Sequence, residues 1–498
     1  MIKKTGSEFV SKNDLRKEVS DRLSAMYAKE VPLYGEHVEI DKEVNRQYIA
    51  NHPELGLSEA DVTRVSSERH GAIRLGKPEE MQMIYRIFAI IGMKPVAPDG
   101  GYDLTDAGEK SQPVISVAFR PVTLEEIEVS PFRMFTSLLR PDDRRFFTEE
   151  TSRRIHELID DRDIFSSRLR ELVDLAEKKD GLSRKDADEF ISEVTKLFSW
   201  AGKAKNQPFY DELVDKKRLN RAIVADIACF PTTHLNHLTP STLDIDAWHA
   251  RMKEHLAINH PGKNIKKSIE GPPKRKVPIL LRQTSYDALE EPVEFDGNKA
   301  ATHRARFGEI EQRAVTLTPK GRKLYDLALE RAMGTKDKLP IPVDQAFSII
   351  PDDHDKLREM DLAYYTYHVT GKSLPKKHPN DLKALVKAGY IEARPIRYED
   401  FLPVSAAGIF ASNLGTGEQG TAKLPGKEHE PSPYTRAEFV KIMGFEILDA
   451  FTLYAAQQAR SIEEAYKALN TRMPKSLSED VRRATDADPA ARQNGQGK

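Results

Sequence analysis

Cysteine is nearly absent from the 498-residue chain, which contains only Cys229. A single thiol excludes an intrachain disulfide and a zinc site with two or more cysteine ligands. Cys229 lies in an apolar run, residues 223–230, where a buried and unreactive thiol is the usual outcome. Because proteins of the reducing cytoplasm rarely contain disulfides, we expect a cytoplasmic protein.

Long apolar runs and an excess of charge of one sign are also missing. No run approaches the roughly 18 apolar residues that cross a bilayer, and only polar sequence follows the basic start. We therefore expect no membrane partner and no secretory signal. The formal net charge of −1 argues against a nucleic-acid partner, because proteins that bind polyanions usually carry a basic excess.

Periodicity divides the chain into helical and strand-rich parts. Apolar residues at helical spacing predict helices over about residues 12–29 and 78–92, and an apolar run predicts a strand at residues 114–120. From about residue 141 to 220 the sequence is dense in charge and helical in period, which indicates a helical insertion. Strand character is expected to return at Ile223 and to carry most of the candidate chemistry.

The segment FGEIEQR contains two acidic residues, Glu309 and Glu311. If residues 301–313 form one strand, His303 shares a face with both of them. Buried carboxylates need a partner or a metal, whereas an exposed strand face, the more common case, would need neither. Gly308 beside the acids permits another segment to approach closely.

Two histidines occur three residues apart in the segment HLNHLTP, at His234 and His237. On a helix they would share a face and could bind zinc together. Prolines on both sides favour an extended segment, in which the two side chains point to opposite sides. Only one of them is then expected to reach a metal. The next helix is expected to use Ser241 or Thr242 as its N-cap.

A third histidine, His70, occurs in the segment RHGAIR with Arg74 four residues later. Together the three segments offer two imidazoles and one carboxylate, which is the facial triad of non-haem Fe(II) oxygenases. An arginine beside such a site can hold a substrate carboxylate through two parallel hydrogen bonds. His249, His255 and His260 lie on or near a charged helix and are expected to be surface residues.

These three segments resemble those of the 2-oxoadipate dioxygenase/decarboxylase family, also called the 2-hydroxyglutarate synthase family. The likeness extends over about residues 12–420. It implies an α+β fold with a vicinal-oxygen-chelate-like curled β-sheet cup that holds one Fe(II), with added helices and a helical insertion. It also implies the family's activity in lysine breakdown, in which 2-oxoadipate and O2 become 2-hydroxyglutarate and CO2. The expected partners are a small-molecule 2-oxo diacid and O2.

The resemblance also implies metal ligands, the first of which is His70. The related hydroxyphenylpyruvate dioxygenases end their metal site in a Glu-x-Ile-Gln-Arg pattern and begin it with a histidine that follows an aspartate. Matching both patterns to this sequence selects Glu309 and His237 as the other two ligands. Glu311 and His234 remain alternatives to them.

Substrate contacts are implied at three positions. Arg74 matches the family's carboxylate-binding arginine and is expected to act in catalysis by orienting the diacid. Val404 and Ser405, in the segment FLPVSAAGIF, match the contact positions of a late substrate-binding loop. The departures from the family lie in a basic loop, residues 263–276, and in a polar tail.

The expected organisation has five parts, of which the last is a disordered tail. The parts are residues 1–140, N-terminal helices with the first part of the metal cup; 141–220, the helical insertion; 221–425, the main cup with metal and substrate residues; 426–472, C-terminal helices; and 473–498, the tail.

Two other functions remain open at this point. One is a related non-haem iron dioxygenase that acts on a different 2-oxo acid, because the motifs specify the iron and the keto acid better than the rest of the substrate. The other is a metal-poor relative that serves as a binding protein, although such a protein would not need His70, His237, Glu309 and Arg74 together.

Overall fold

Helices and strands alternate along the chain in a mixed α+β architecture. The computed structural model describes residues 9–53, 58–107, 111–215, 221–263, 265, 269–286, 289–295, 298–303, 306, 308–334, 339–402, 423–424, 426–427 and 430–488. The helices of these residues are α1 (Lys12–Glu30), α2 (Leu33–Asn51), α3 (Glu59–Ser67), α4 (Pro78–Ile90), α5 (Leu124–Val129), α6 (Glu149–Ile159), α7 (Ser167–Lys179), α8 (Arg184–Leu197), α9 (Gln207–Val214), α10 (Ala222–Ala228), α11 (Ile245–Asn259), α12 (Pro319–Met333), α13 (Val343–Phe347), α14 (His354–Glu359), α15 (Leu382–Lys387), α16 (Arg436–Met443), α17 (Ala450–Ala468) and α18 (Lys475–Asp486).

The strands are mostly short. They are β1 (Arg69–Leu75), β2 (Lys94–Ala97), β3 (Tyr102–Asp103), β4 (Val114–Arg120), β5 (Arg133–Leu139), β6 (Lys203–Ala204), β7 (His237–Pro240), β8 (Leu281–Tyr286), β9 (Glu291–Phe295), β10 (Asn298–His303), β11 (Gly308–Arg313), β12 (Tyr365–Val369), β13 (Ile391–Pro395) and β14 (Leu448–Asp449).

The chain divides into two compact units. The first comprises Met1–Ile269, Gln283–Glu311 and Phe401–Ile447, and the second comprises Glu270–Arg282, Gln312–Asp400 and Leu448–Lys498. In the second unit, β12 and β13 form an antiparallel pair. Among the described helices of both units, none is long and apolar enough to cross a bilayer.

The main sheet of the first unit has the strand order β2-β4-β5-β1-β7, with β3 paired to β4. Every residue of β1, β4 and β5 is buried, as expected for central strands covered on both faces. The strand β1 is parallel to β5 and antiparallel to β7, and its register places His70 opposite Thr239 and Ala72 opposite His237. Because opposite residues share a face of a sheet, His70 and His237 lie on the same face.

Several elements form where the periodicity predicts them. Helix α1 buries Leu15, Val19 and Leu23, helix α4 begins at Pro78, and β4 spans the predicted strand. Helices α6 to α9 lie in the charge-dense part of the chain, and α6, α7 and α8 each begin with a threonine or serine N-cap.

Three expectations about local structure are wrong. The strand predicted from Ile223 is helix α10, since a short apolar run fits a buried helix as well as a buried strand. The single strand predicted over residues 301–313 is wrong, because His303 ends β10, which pairs with β9, whereas Glu309 lies in β11, which pairs with β8. The cap of α11 is Asp244, whose side chain accepts from two backbone N–H groups of the first turn, and not Ser241 or Thr242.

The prediction of a disordered tail is also wrong for Lys475–Asp486, which forms helix α18. The polar composition suggests disorder, but a surface helix needs only a narrow apolar stripe, and Val481 is buried there. An ion pair between Arg460 of α17 and Asp488 follows the helix within the second unit.

Gly308 at the start of β11 provides a test of the packing beneath the acidic strand. An added Cβ would lie 1.6 Å from Cζ of Tyr286, so Gly308→Ala must displace β11 or the ring. We expect a lower melting temperature, equivalent to a loss of about 1–3 kcal/mol as in other overpacked cores. Gly35→Ala is the matched control, because nothing lies within 4 Å of its added Cβ and alanine favours helix α2 by about 0.5 kcal/mol. Equal melting of the two variants would contradict this packing.

Candidate metal centre

The side chains of His70, His237 and Glu309 meet on one face of the main sheet. The register of β1 and β7 places the two histidines side by side, with ring centroids 5.2 Å apart. Strand β11 is attached beside the end of β7, because the backbone N–H of Thr242 donates to the carbonyl of Glu311 over 2.8 Å. This attachment brings Glu309 to the two imidazoles.

The three donor groups converge on a small buried volume. Oε2 of Glu309 lies 3.6 Å from Nε2 of His70 and 3.2 Å from Nδ1 of His237. One ligand atom of each residue lies within 4.8 Å of those of the other two. No more than 1% of any of the three residues is exposed, so water cannot replace a missing partner from the surface.

Three polar atoms of the cluster are buried without a hydrogen-bond partner among the described residues. One is Nδ1 of His70; the other two, Nε2 of His70 and Oε1 of Glu309, could share a cation. A buried polar atom without a partner costs about 1–3 kcal/mol, and more when it is charged. A divalent ion between the imidazoles and the carboxylate would satisfy both atoms, and this donor set suits Fe(II).

Glu311 lies on the other side of His70. Its Oε1 is 3.0 Å from Nδ1 of the histidine. The pair does not meet hydrogen-bond geometry in the structure, but a carboxylate at this distance favours a proton on Nδ1. That tautomer would leave the lone pair of Nε2 for a metal, as outer carboxylates do for metal-binding histidines. The two acids therefore lie at different ring nitrogens of His70, with Glu309 near Nε2 and Glu311 near Nδ1.

Thr239 fixes Glu309 in a similar way. Its hydroxyl donates to Oε2 of Glu309 over 2.7 Å and lies 3.0 Å from Nδ1 of His237. The Thr239 hydroxyl thus links Glu309 to His237, which lies two residues earlier on β7.

The charges of these groups depend on one another. Burial opposes the charged form of His70, but the carboxylates of Glu311 and Glu309 outweigh it and raise the pKa of the imidazole. Burial also raises the pKa of Glu309, and His70 offsets this only in part. The protons held here must leave when a metal binds, because a ligand nitrogen or oxygen needs its lone pair.

Aromatic rings close the cluster on one side. Phe401 lies edge-on to His70 at 5.1 Å between ring centroids, and Phe135 lies 5.3 Å from Phe401. The expected substrate contacts Val404 and Ser405 follow shortly after Phe401 in the sequence but lie outside the described residues.

Arg74 lies on the same face of β1 as His70 and contacts a buried acid, Asp226. Its Nη1 donates to Oδ2 of Asp226 over 2.7 Å, and the amide of Asn236 donates to the same oxygen over 3.0 Å. His303 donates from Nε2 to Oδ1 over 2.9 Å, and Nε2 of His234 lies 3.2 Å from that oxygen. Asp226 thus contacts both Arg74 and His234, the histidine that was the alternative metal ligand.

The position of His234 agrees with the extended segment predicted from the flanking prolines. His237 faces Glu309 and His234 faces Asp226, so the two side chains diverge. Sequence reasoning did not identify Asp226, although a lone acid in the apolar run AIVADIACF was a signal.

Asp226 is kept ionised by its neighbours. Burial opposes its charge, but His234, Arg74 and His303 outweigh burial and hold the pKa of the carboxyl well below its usual value. Burial lowers the pKa of His303, whose Nδ1 accepts from the hydroxyl of Tyr210 over 2.7 Å. The imidazole is therefore a neutral donor to Asp226.

Comparison with known proteins identifies the family of the chain. The family model described as 2-oxoadipate dioxygenase/decarboxylase matches residues 19–413. The chain belongs to this family. Two relatives with that name come from Escherichia coli strain K12, at 41% identity over 91% of this chain and 98% of the relative, and from Pseudomonas putida, at 40% identity over 93% and 98%.

A solved member of the family has the same fold. The crystal structure of hydroxyglutarate synthase from Pseudomonas putida in complex with 2-oxoadipate superposes with a TM-score of 0.79 at 38% identity, covering 93% of this chain and all of that one. The resemblance inferred from the three sequence segments is confirmed.

The two glutamates give a test of the metal centre. We expect Glu309→Gln to abolish metal binding at this centre, because the anionic ligand is lost. Glu311→Gln should keep the metal with an affinity about 10–100-fold weaker, as for the loss of an outer carboxylate. Metal content after dialysis and competition titration with a chelating dye would measure both effects. Loss of metal in Glu311→Gln with retention in Glu309→Gln would reverse the assignment.

Proposed function

We propose that this protein is an Fe(II)-dependent dioxygenase that oxidatively decarboxylates 2-oxoadipate with O2, yielding 2-hydroxyglutarate and CO2. The observation that carries the proposal is the buried group of His70, His237 and Glu309, in which three polar atoms lack a hydrogen-bond partner among the described residues. Its family membership and the 2-oxoadipate bound to the Pseudomonas putida enzyme support the substrate.

The donor set determines what a bound metal would offer. Two neutral imidazoles and one carboxylate leave a divalent ion with residual positive charge and with free positions on one face. Iron bound there supplies positions for the 2-oxo acid and for O2, and the electrons that activate O2. A binding protein without this chemistry would have no need to bury Glu309 beside two histidines.

Arg74 orients the diacid in this proposal. A 2-oxo diacid has a second carboxylate at the end away from its keto group, and the planar guanidinium can hold that carboxylate with two hydrogen bonds. A guanidinium carries five N–H donors, so the contact from Nη1 to Asp226 is compatible with a substrate contact. Asp226 restricts the rotation of Arg74 before substrate arrives, which lowers the entropy that binding must remove.

The reaction balances without another reductant. The six-carbon diacid loses its first carbon as CO2, and the five-carbon product carries a hydroxyl group at the carbon that becomes its second. The two atoms of O2 account for the added oxygen. The burial of the donor groups and the rings of Phe401 and Phe135 keep bulk water away from the reacting centre.

We also propose a type of sheet, a cellular role and a location for this protein. We propose that β1, β7 and β11 belong to a vicinal-oxygen-chelate-like curled sheet, because ligands from neighbouring strands leave one side of the metal open. The proposed role is lysine breakdown, and the proposed location is the cytoplasm, which suits a chain with one buried cysteine.

Oxygen uptake tests the function directly. Protein purified without O2, reconstituted with Fe(II) and given 2-oxoadipate should consume O2 and release 2-hydroxyglutarate, identified by mass spectrometry. Arg74→Lys should keep its iron and lose at least about tenfold in kcat/KM, because a lysine cannot form the two-bond contact.

A monoacid separates the role of Arg74 from general damage. 2-Oxohexanoate lacks the second carboxylate, so wild type and Arg74→Lys should turn it over at similar low rates. Unchanged turnover of 2-oxoadipate by Arg74→Lys would contradict the role of the arginine. Absence of O2 uptake by iron-loaded wild type with either acid would contradict the proposed function.

A further inference from the structure

A second group of metal-ligand side chains lies elsewhere in the first unit. Glu36 is in the first turn of α2, His255 is near the end of α11, and His260 is the C-cap of α11. Nε2 of His260 is 2.8 Å from Oε2 of Glu36, and Nε2 of His255 contacts the same oxygen. One ligand atom of each residue lies within 4.8 Å of the other two.

We propose that Glu36, His255 and His260 form a second metal site, for a divalent ion of the zinc class. Two imidazoles and one carboxylate with a water in the fourth position are a common zinc coordination. The side chains are 41%, 25% and 28% exposed, respectively, so an ion can enter from solvent and retain a water molecule. This site is independent of the proposed oxygenase function.

The local backbone brings the two histidines together. Five residues along a regular helix correspond to about 500° of rotation, which would place the side chains about 140° apart. Helix α11 ends at Asn259, and His260 has φ −135° and ψ 61°, outside helical values. The end of the helix therefore lets His260 turn toward the face that carries His255, where the ring centroids are 5.6 Å apart.

An outer partner is also in place. The side-chain amide of Asn259 lies 3.1 Å from Nδ1 of His255. When Nε2 of a histidine binds a metal, Nδ1 carries the proton and needs an acceptor. The nitrogen of the Asn259 amide faces Nδ1 and donates to the backbone carbonyl of His255 over 3.2 Å. A 180° rotation of the amide on metal binding would exchange that bond for an acceptor oxygen at Nδ1.

The proposed ion would connect two helices that already pack together. His37 of α2 lies 4.7 Å from Trp248 of α11 between ring centroids, and Leu33, Val44 and Ile245 belong to the same apolar cluster. Strand β7, which carries His237, directly precedes α11 in the chain. Metal binding at Glu36 is therefore expected to raise the melting temperature of the protein, because an ion that binds only the folded state stabilises it.

Metal stoichiometry separates the two sites. After equilibrium dialysis against Zn2+ and elemental analysis, wild type should hold two ions per chain, while Glu36→Gln and His255→Asn should each hold one. Glu309→Gln should also hold one, and the double variant Glu36→Gln/Glu309→Gln should hold none. His249→Asn is the matched control, because His249 lies on α11 outside the cluster, and it should hold two.

The Co2+ form gives a second measurement that does not depend on activity. Co2+ added to Glu309→Gln should give the intense visible absorption of a four-coordinate site, and Glu36→Gln/Glu309→Gln should not give it. Circular dichroism confirms that each variant is folded.

The variants that lose an ion distinguish the second site from the His70, His237 and Glu309 centre. Wild-type zinc content retained by Glu36→Gln, or lost equally in His249→Asn, would overturn the second site and indicate nonspecific binding. One ion in wild type that Glu36→Gln loses and Glu309→Gln keeps would support the second site while contradicting the first.

Discussion

The burial of two carboxylates beside two imidazoles is the constraint on which the rest of the site depends. Glu309 and Glu311 are each 1% exposed, and so is His70, while His237 is fully buried. A carboxylate removed from water is strongly destabilised unless a cation or hydrogen bonds replace the solvent. The strand pairing meets part of this requirement, since β1 and β7 present the imidazoles, Thr239 donates to Glu309, and Glu311 lies 3.0 Å from Nδ1 of His70. A divalent ion at Nε2 of His70 would complete the set.

A second buried charge, on Asp226, fixes the position of Arg74. Four side chains surround Asp226: Arg74 from β1, His234 and Asn236 from the segment that precedes β7, and His303 from β10. Each of the four can donate to this carboxylate, so Asp226 is held from several sides. Asp226 in turn holds the guanidinium of Arg74. His70 and Arg74 thus lie four residues apart on one face of β1. His70 lies beside Glu311, and Arg74 donates to Asp226.

Several helices and strands, and the three segments that carry the candidate metal ligands, could be predicted from the sequence. The contacts that hold those segments in place could not. Composition and periodicity predicted α1, α4 and β4, and the prolines around His234 predicted that its side chain and that of His237 diverge. The choice between Glu309 and Glu311 depended on resemblance, because alternation places both on one face.

What failed depended on contacts between distant residues. The break between β10 and β11, the helix at Ile223 and the helix near Val481 result from packing that local pattern does not encode. The role of Asp226 and the meeting of Glu36 with His255 and His260 join positions far apart in the chain, so no spacing rule could find them.

The most direct test of the central claim is the position of the metal. Anomalous diffraction at the iron edge, from crystals grown without O2 and soaked with Fe(II) and 2-oxoadipate, would locate it. We expect one strong peak bound by His70, His237 and Glu309, with the keto acid on the open side and its far carboxylate at Arg74. Iron bound instead through His234 or Glu311, or no iron peak at the cluster, would contradict it.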